Sequence, residues 1–108
     1  MRFLVRMEHI DSGEPMPPRE MGAFIENVVL PSVKTLGEWE KAGKAKGGIL
    51  AGRRGAAFII DVDSHEQLSD MLRTVPIWGV SDIDIVPLES NDHRYKVDGE
   101  MAKQMKSM

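Results

Sequence analysis

The chain contains no cysteine, so disulfides, thiolate metal sites and a cysteine nucleophile are all excluded. Aromatic residues make up only 6% of it, whereas methionine occurs 8 times, and we therefore expect a core of aliphatic and methionine side chains. No apolar run is long enough to cross a membrane, which takes about 18 residues. The N-terminus reaches Arg6 and Glu8 too early for the apolar region of a signal peptide, and we expect a cytoplasmic protein.

The chain also lacks a large excess of either charge, since its net charge is −3 over 108 residues. This balance gives the chain no general attraction to nucleic acid or to acidic lipid. Basic residues cluster between Lys41 and Arg54, but no aromatic side chain is interleaved with them, which favours a solvated hairpin over a nucleic-acid surface. The histidines lack metal-ligand spacing, and we expect no bound metal.

What the sequence does have is clear hydrophobic periodicity. Alternation of apolar and polar residues predicts a strand at each end of the chain's folded part and two strands in the middle. These strands are Arg2–His9, a weak glycine-containing Ala45–Ala51, a strong Ala56–Val62, and Asp82–Leu88. Gly52-Arg53-Arg54-Gly55 predicts the turn of a hairpin between the middle two.

Two helices are predicted between the strands. The first spans Arg19–Lys41, on apolar offsets of three and four residues. We expect a kink or short break near Val29–Pro31, since proline removes a hydrogen bond and disfavours helical geometry at Leu30. The second helix begins after Ser64, and Gln67 stands at the spacing of a capping box.

The predicted element order is strand, helix, strand, strand, helix, strand. With right-handed crossovers, this order gives an α+β, ferredoxin-like βαββαβ fold, a four-stranded antiparallel sheet with two helices on one face. We assign residues 1–90 to this domain. Residues 91–108 have few large apolar groups, and we expect a tail that is either swapped onto a partner subunit or disordered.

The alternation also divides the strand residues between two faces of the sheet. The wholly apolar set, which should lie under the helices, is Phe3, Val5, Met7, Phe58, Ile60, Val62, Ile83 and Ile85. The opposite set is half apolar and half charged: Leu4, Arg6, Glu8, Ala57, Ile59, Asp61, Asp82, Asp84, Val86 and Leu88. Such a face suits a pocket between two sheets that pack together in a homodimer, although a plain solvated face would show the same alternation.

The charged members of this face are the candidate catalytic residues Arg6, Glu8, Asp61 and Asp84. A carboxylate beside an apolar wall could act as a base, and Arg6 could bind a carboxylate or an enolate oxygen. The alternative is a structural ion pair that crosses the sheet. Candidate substrate-binding residues are His9 at the end of the first strand, Trp78 beside the last strand, and Ile59 and Leu88 on the open face.

Several stretches together resemble the muconolactone delta-isomerase family of the dimeric α+β barrel superfamily. They are Val5-Arg6-Met7, Asp61-Val62-Asp63-Ser64, Leu68 with Leu72, Val75-Pro76-Ile77-Trp78, and Asp82 to Leu88. The resemblance implies a homodimer whose two sheets close into a barrel, higher assembly in some members, a pocket between sheet and helices, and no metal or organic cofactor. It also implies proton transfer within a small unsaturated lactone of aromatic catabolism. It places a basic residue at Arg6 and an acidic one at Asp84. Aromatic and histidine residues of the isomerases are replaced here by Lys44–Leu50.

Two functional hypotheses remain open. The first is a cofactor-free enzyme, an isomerase that moves a proton in a small lactone or carboxylate-bearing metabolite, or a monooxygenase of the same superfamily. The second is a non-catalytic domain that binds a small molecule or serves as an assembly partner. In both cases the partners are a second copy of the chain and a small-molecule ligand.

Overall fold

The computed structural model describes residues 1–10 and 13–108 of the chain. Its elements follow the predicted order, with one further helix at the end. They are β1 (Arg2–His9), α1 (Pro18–Phe24), a π-helical turn (Ile25–Val29), α2 (Leu30–Lys41), β2 (Ala45–Ile49), β3 (Gly55–Asp61), α3 (His65–Arg73), a 3-10 turn (Pro76–Val80), β4 (Ser81–Leu88) and α4 (Asn91–Lys106).

The four strands form one antiparallel sheet in the order β2-β3-β1-β4. Val5 at the centre of β1 lies between Phe58 of β3 and Ile85 of β4, so the predicted apolar set shares one face. On the other face, Arg6 lies between Ala57 and Asp84. The predicted ferredoxin-like α+β fold is confirmed.

The core lies between this apolar face and the helices. Val5 and Ile60 are completely buried, and Leu68 and Leu72 of α3 pack onto the same cluster. Ile85 is an exception to the prediction, since 42% of it is exposed. The reason is that β4 is an edge strand with no neighbour on its outer side, so alternation predicts the face of a residue but not the cover above it.

The long first helix is continuous, and the predicted irregularity takes the form of a π turn just before Pro31. The Leu30 N–H donates to the carbonyl of Ile25, five residues back. The expectation that Leu30 would avoid helical geometry is wrong, because its φ of −61° and ψ of −45° are α-helical. The wider π turn accommodates the proline that the regular hydrogen-bond ladder cannot.

Ser32 fills the polar position in the otherwise apolar stripe of this helix, and the structure explains its presence. Its hydroxyl donates to the Val28 carbonyl (2.6 Å) and accepts from the Ile77 N–H (3.0 Å). Ser32 is 3% exposed, yet it is fully hydrogen-bonded, and it ties α2 to the 3-10 turn that leads into β4.

The start of α3 confirms the predicted capping. The Gln67 N–H donates to the Ser64 hydroxyl (3.0 Å), and the Gln67 side-chain oxygen accepts from the Asp63 N–H (2.5 Å). The return bond therefore reaches one residue before the cap, a variant of the usual capping box.

α4 is an exposed helix that projects from the domain and has no buried residue. Ser90 caps it, because its hydroxyl accepts from the His93 N–H (3.1 Å). The chain consequently extends over 68 Å in its longest direction. In the described part of the chain, no helix is both long enough and apolar enough to span a membrane.

Candidate functional site

The candidate site lies on the sheet face that the helices leave uncovered, where the end of β1 lies beside the start of β4. This face is half apolar, as predicted, with Leu4, Ile59 and Val86 all more than a third exposed. The ends of the two strands enclose an open concavity of about 410 Å³. Its lining is Arg6, Glu8, His9, Ile10, Asp82, Ile83 and Asp84, which includes four of the eight predicted site residues.

Glu8 is the centre of an ion-pair network in this concavity. Its carboxylate accepts from Arg6 Nη2 (2.9 Å) and from Arg53, which donates through Nε (2.9 Å) and through Nη2 to both oxygens (2.5 and 2.7 Å). About half of each arginine side chain is exposed, at 49% and 54%. The network therefore contributes little to stability, but it fixes the position of two guanidinium groups.

Arg53 was not predicted as a site residue, because its turn was interpreted as a solvated hairpin. The strand register explains its position, since Gly55 at the end of this turn lies opposite Glu8. Only the pairing of β1 with β3 brings the turn to the concavity. The spacing of the hairpin in the sequence allows this position for Arg53, but only the exact strand register shows that the turn lies beside Glu8.

Asp84 lies directly opposite Arg6 in the sheet. Its carboxylate has no ion-pair or hydrogen-bond partner within residues 1–10 and 13–108. Glu8, whose opposite residue is Asp82, is by contrast fully engaged by arginines. The concavity thus contains one occupied carboxylate, which positions cations, and two carboxylates without a partner in the described ranges, Asp82 and Asp84, of which Asp84 lies opposite Arg6.

His9 closes the end of β1 at the edge of the concavity. Its backbone N–H donates to the Arg54 carbonyl (2.9 Å), and its ring lies 5.1 Å from that of Phe24, centroid to centroid. The helix α1 therefore holds the ring beside the concavity. An imidazole in this position can exchange protons with a ligand and with water.

The other predicted residues lie elsewhere. Asp61 and Leu88 are both opposite Arg2, at the far end of β1, and Asp61 and Ile59 line a separate small concavity of about 160 Å³ there. Trp78 belongs to the 3-10 turn, where the Arg73 guanidinium lies 5.7 Å from its ring centroid. Arg6 forms its ion pair with Glu8, the neighbour two residues along the same strand, and Asp61 lies away from it, opposite Arg2.

Across the described ranges, no three side chains among His, Asp and Glu are grouped so that they could share a metal ion. The chemistry that the concavity offers is that of two free carboxylates, the fixed Arg6 guanidinium and an imidazole, with the Arg53 guanidinium bound to Glu8 beside it.

Comparison with known proteins gives a family and a fold. A family model described as muconolactone delta-isomerase matches residues 1–94. Among curated proteins, none matches the chain. Among solved structures, the crystal structure of muconolactone isomerase at 3.3 Å resolution is similar, with a TM-score of 0.65 and 22% identity over 84% of this chain and 91% of that one. At that identity the structural likeness shows the fold alone, whereas the family model covers most of the sequence. The chain belongs to the muconolactone delta-isomerase family.

Proposed function

We propose that the protein is an isomerase that moves a proton within a small unsaturated lactone or related metabolite that bears a carboxylate. The family supports this reaction class. The observation that carries the proposal is the unpaired Asp84 opposite Arg6, in a concavity where Glu8 fixes two arginines. Proton transfer beside a carbonyl needs a base and a group that stabilises the enolate, and these residues supply both.

In the proposed reaction, Asp84 is the base. Its carboxylate takes a proton from a carbon conjugated with the lactone carbonyl through the C=C bond, and the electron pair of the broken C–H bond moves through that bond onto the carbonyl oxygen. The Arg6 guanidinium donates hydrogen bonds to that oxygen. The proton then returns to a different carbon of the conjugated system, so the double bond migrates and the composition of the substrate is unchanged.

The remaining residues have supporting roles in this proposal. Glu8 holds Arg6 in place, and Arg53 is free on its exposed side to bind the substrate carboxylate. His9 at the edge of the concavity exchanges protons between Asp84 and water. Glu8 is therefore a positioning residue.

We further propose that a second copy of the chain covers the open face, as a cytoplasmic homodimer. Leu4, Ile59, Val86 and Leu88 give this face an apolar component that a second sheet would bury. Asp61 at its far end would lie in the same interface. Closure by a partner would also exclude water from the concavity, which strengthens the electrostatic interactions that the reaction needs.

The test is to follow muconolactone by proton NMR with the purified full chain and two matched variants. We expect turnover by the wild type, a loss of about 100-fold in kcat/KM for Arg6→Met, and little change for Arg2→Met. Arg2 is the matched control because it lies on the same strand and the same face, outside the concavity. No turnover by the wild type, or an unchanged rate in Arg6→Met, would remove this proposal.

A further inference from the structure

The open face of the sheet carries opposite charges at two diagonally opposite corners. Where β1 ends and β4 begins, the charged lining of the larger concavity consists of three carboxylates and one arginine, namely Glu8, Asp82, Asp84 and Arg6. Where β2 begins and β3 ends, the charged lining of the smaller concavity consists of three cations and one carboxylate, namely Arg2, Lys44, Lys46 and Asp61. We call these the acidic corner and the basic corner.

The charges of the basic corner are unused within the chain. In residues 1–10 and 13–108, none of its four charged side chains forms an ion pair or a hydrogen bond. Lys46 lies on β2 and Asp82 on β4, which are the two edge strands of the sheet. At about 4.8 Å between neighbouring strands, the two edges are about 14 Å apart. The two corners can therefore meet only between two molecules.

An apolar band separates the two corners. It runs diagonally across three strands and consists of Leu88, Val86, Leu4, Ile59 and Ala57. A second copy, related by a two-fold axis along this band, would lay band on band and its basic corner on the acidic corner of the first copy. The strands of the two sheets then cross at a large angle, which is one of the two ways in which sheets pack face to face.

The acidic corner needs a further cation for the substrate class proposed above. A substrate that bears a carboxylate would approach Asp82 and Asp84, which have no partner in the described ranges. Among the described residues of the lining, Arg6 is the only cation, and Arg53 beside it is held by Glu8. Like charges repel, and the repulsion grows as closure excludes water. The site of a single copy is therefore incomplete for an anionic substrate.

We propose that a second copy completes the site with the cations of its basic corner. Lys44 and Lys46 of the partner subunit face Asp82, so that one lysine neutralises this acid and the other binds the substrate carboxylate. Because the axis is two-fold, each dimer contains two such sites, and each site has residues from both copies. The role in substrate binding rests on the proposed function, whereas the pairing of the two corners does not.

The first test uses introduced cysteines, because the chain has none of its own. In the double variant Asp82→Cys/Lys46→Cys, we expect mild oxidation to link positions 46 and 82 of different copies, as identified by peptide mapping. The two positions are too far apart for a bridge within one chain. In the control, Lys34→Cys at an exposed position of α2 replaces Lys46→Cys, and no link should form. Dimers linked only through 46–46 or 82–82, or no link at all, would contradict the crossed packing.

The second test is charge reversal, measured as the dissociation constant of the dimer by sedimentation. Asp82→Lys and Lys46→Glu should each weaken the dimer by about tenfold, since each brings like charges together. The double variant restores an opposite pair and should recover most of the loss. Asp70→Lys, at an exposed position of α3, is the control and should have no effect. Losses that add up in the double variant, or a wild type that remains monomeric, would overturn the proposal.

The third test concerns the substrate. At concentrations that keep the protein dimeric, Lys46→Met should raise KM for muconolactone by about tenfold and leave kcat nearly unchanged, because the lysine binds the carboxylate and takes no part in proton transfer. An unchanged KM would remove Lys46 from the site. If the wild type does not convert muconolactone, the proposed isomerase activity fails, and the 46–82 link and the charge reversal still decide whether the corners pair.

Discussion

The two faces of one sheet are built from alternate residues of the same strands, yet they differ in every physical respect. Ile60 is completely buried under α3, whereas its neighbour Ile59 is 41% exposed on the open face. The face under the helices is apolar and closely packed, apart from a groove between α2 and the β2–β3 hairpin. The open face has a charged concavity at one end and isolated aliphatic side chains along the rest. The buried face therefore provides the stability of the domain, and the open face carries the charged side chains that a reaction needs.

The largest difference in stability is expected between substitutions of Ile60 and of its neighbour Ile59. Ile60→Ala removes a fully buried side chain and leaves a cavity, so we expect a loss of about 2–5 kcal/mol in the free energy of unfolding. Ile59→Ala should cost below about 1 kcal/mol in dilute protein. Urea unfolding measures both. Equal losses would show that the faces are not different, and a loss for Ile59→Ala that grows with protein concentration would place Ile59 in a dimer interface.

Ser32 gives the next largest effect, on the buried side. Ser32→Ala leaves the Ile77 N–H without its acceptor, and we expect a loss of about 1–3 kcal/mol. Thr35→Ala is the control, since the Thr35 hydroxyl only donates to the Pro31 carbonyl (2.9 Å), and its loss should cost about 1 kcal/mol or less. The contrast fails if the two substitutions shift the urea midpoint equally.

We expect the ion pairs of Glu8 on the open face to contribute little to the free energy of unfolding. Glu8→Gln breaks two ion pairs between half-exposed partners, and we expect a loss below about 1 kcal/mol that shrinks further at high salt. Glu89→Gln, which affects only the exposed pair with Arg94, is the control. A loss of several kcal/mol for Glu8→Gln would make the network structural and weaken its role in holding Arg6 for chemistry.

The smallest effect is expected for α4. Removal of residues 91–108 should change the free energy of unfolding of the monomeric domain by less than about 0.5 kcal/mol, because no residue of α4 is buried. Sedimentation of the same protein tests the prediction that this segment is swapped onto a partner, for which a smaller assembly is expected. A large, concentration-independent loss of stability would instead show that α4 supports its own domain.

Much of the fold followed from sequence pattern. Alternation predicted β1, β3 and β4 closely, and the spacing of Ser64 and Gln67 predicted the start of α3. The π turn could not be predicted in form, because Pro31 forbids a hydrogen bond without specifying which alternative replaces it. α4 was not predicted, since it has no apolar face for a core.

The candidate site was predictable in part. Arg6, Glu8 and Asp84 lie on one face at one end of adjacent strands, which alternation anticipates, whereas the His9 ring lies on the alternate side, beside Phe24 of α1. The place of Arg53 beside Glu8 required the register of the hairpin, which is not a local property of the chain. Trp78 lay beside β4 in sequence, but its turn directs it toward Arg73.

The central claim is that the open face performs proton transfer with Asp84 as base. Its most direct test is the rate at which solvent deuterium enters muconolactone, measured by NMR for the wild type, Asp84→Asn and Asp70→Asn. Asp70 is an exposed acid on α3, outside the concavity, and serves as the control. The account predicts a loss of about 100-fold or more for Asp84→Asn and a wild-type rate for Asp70→Asn. A wild-type rate in Asp84→Asn would contradict it.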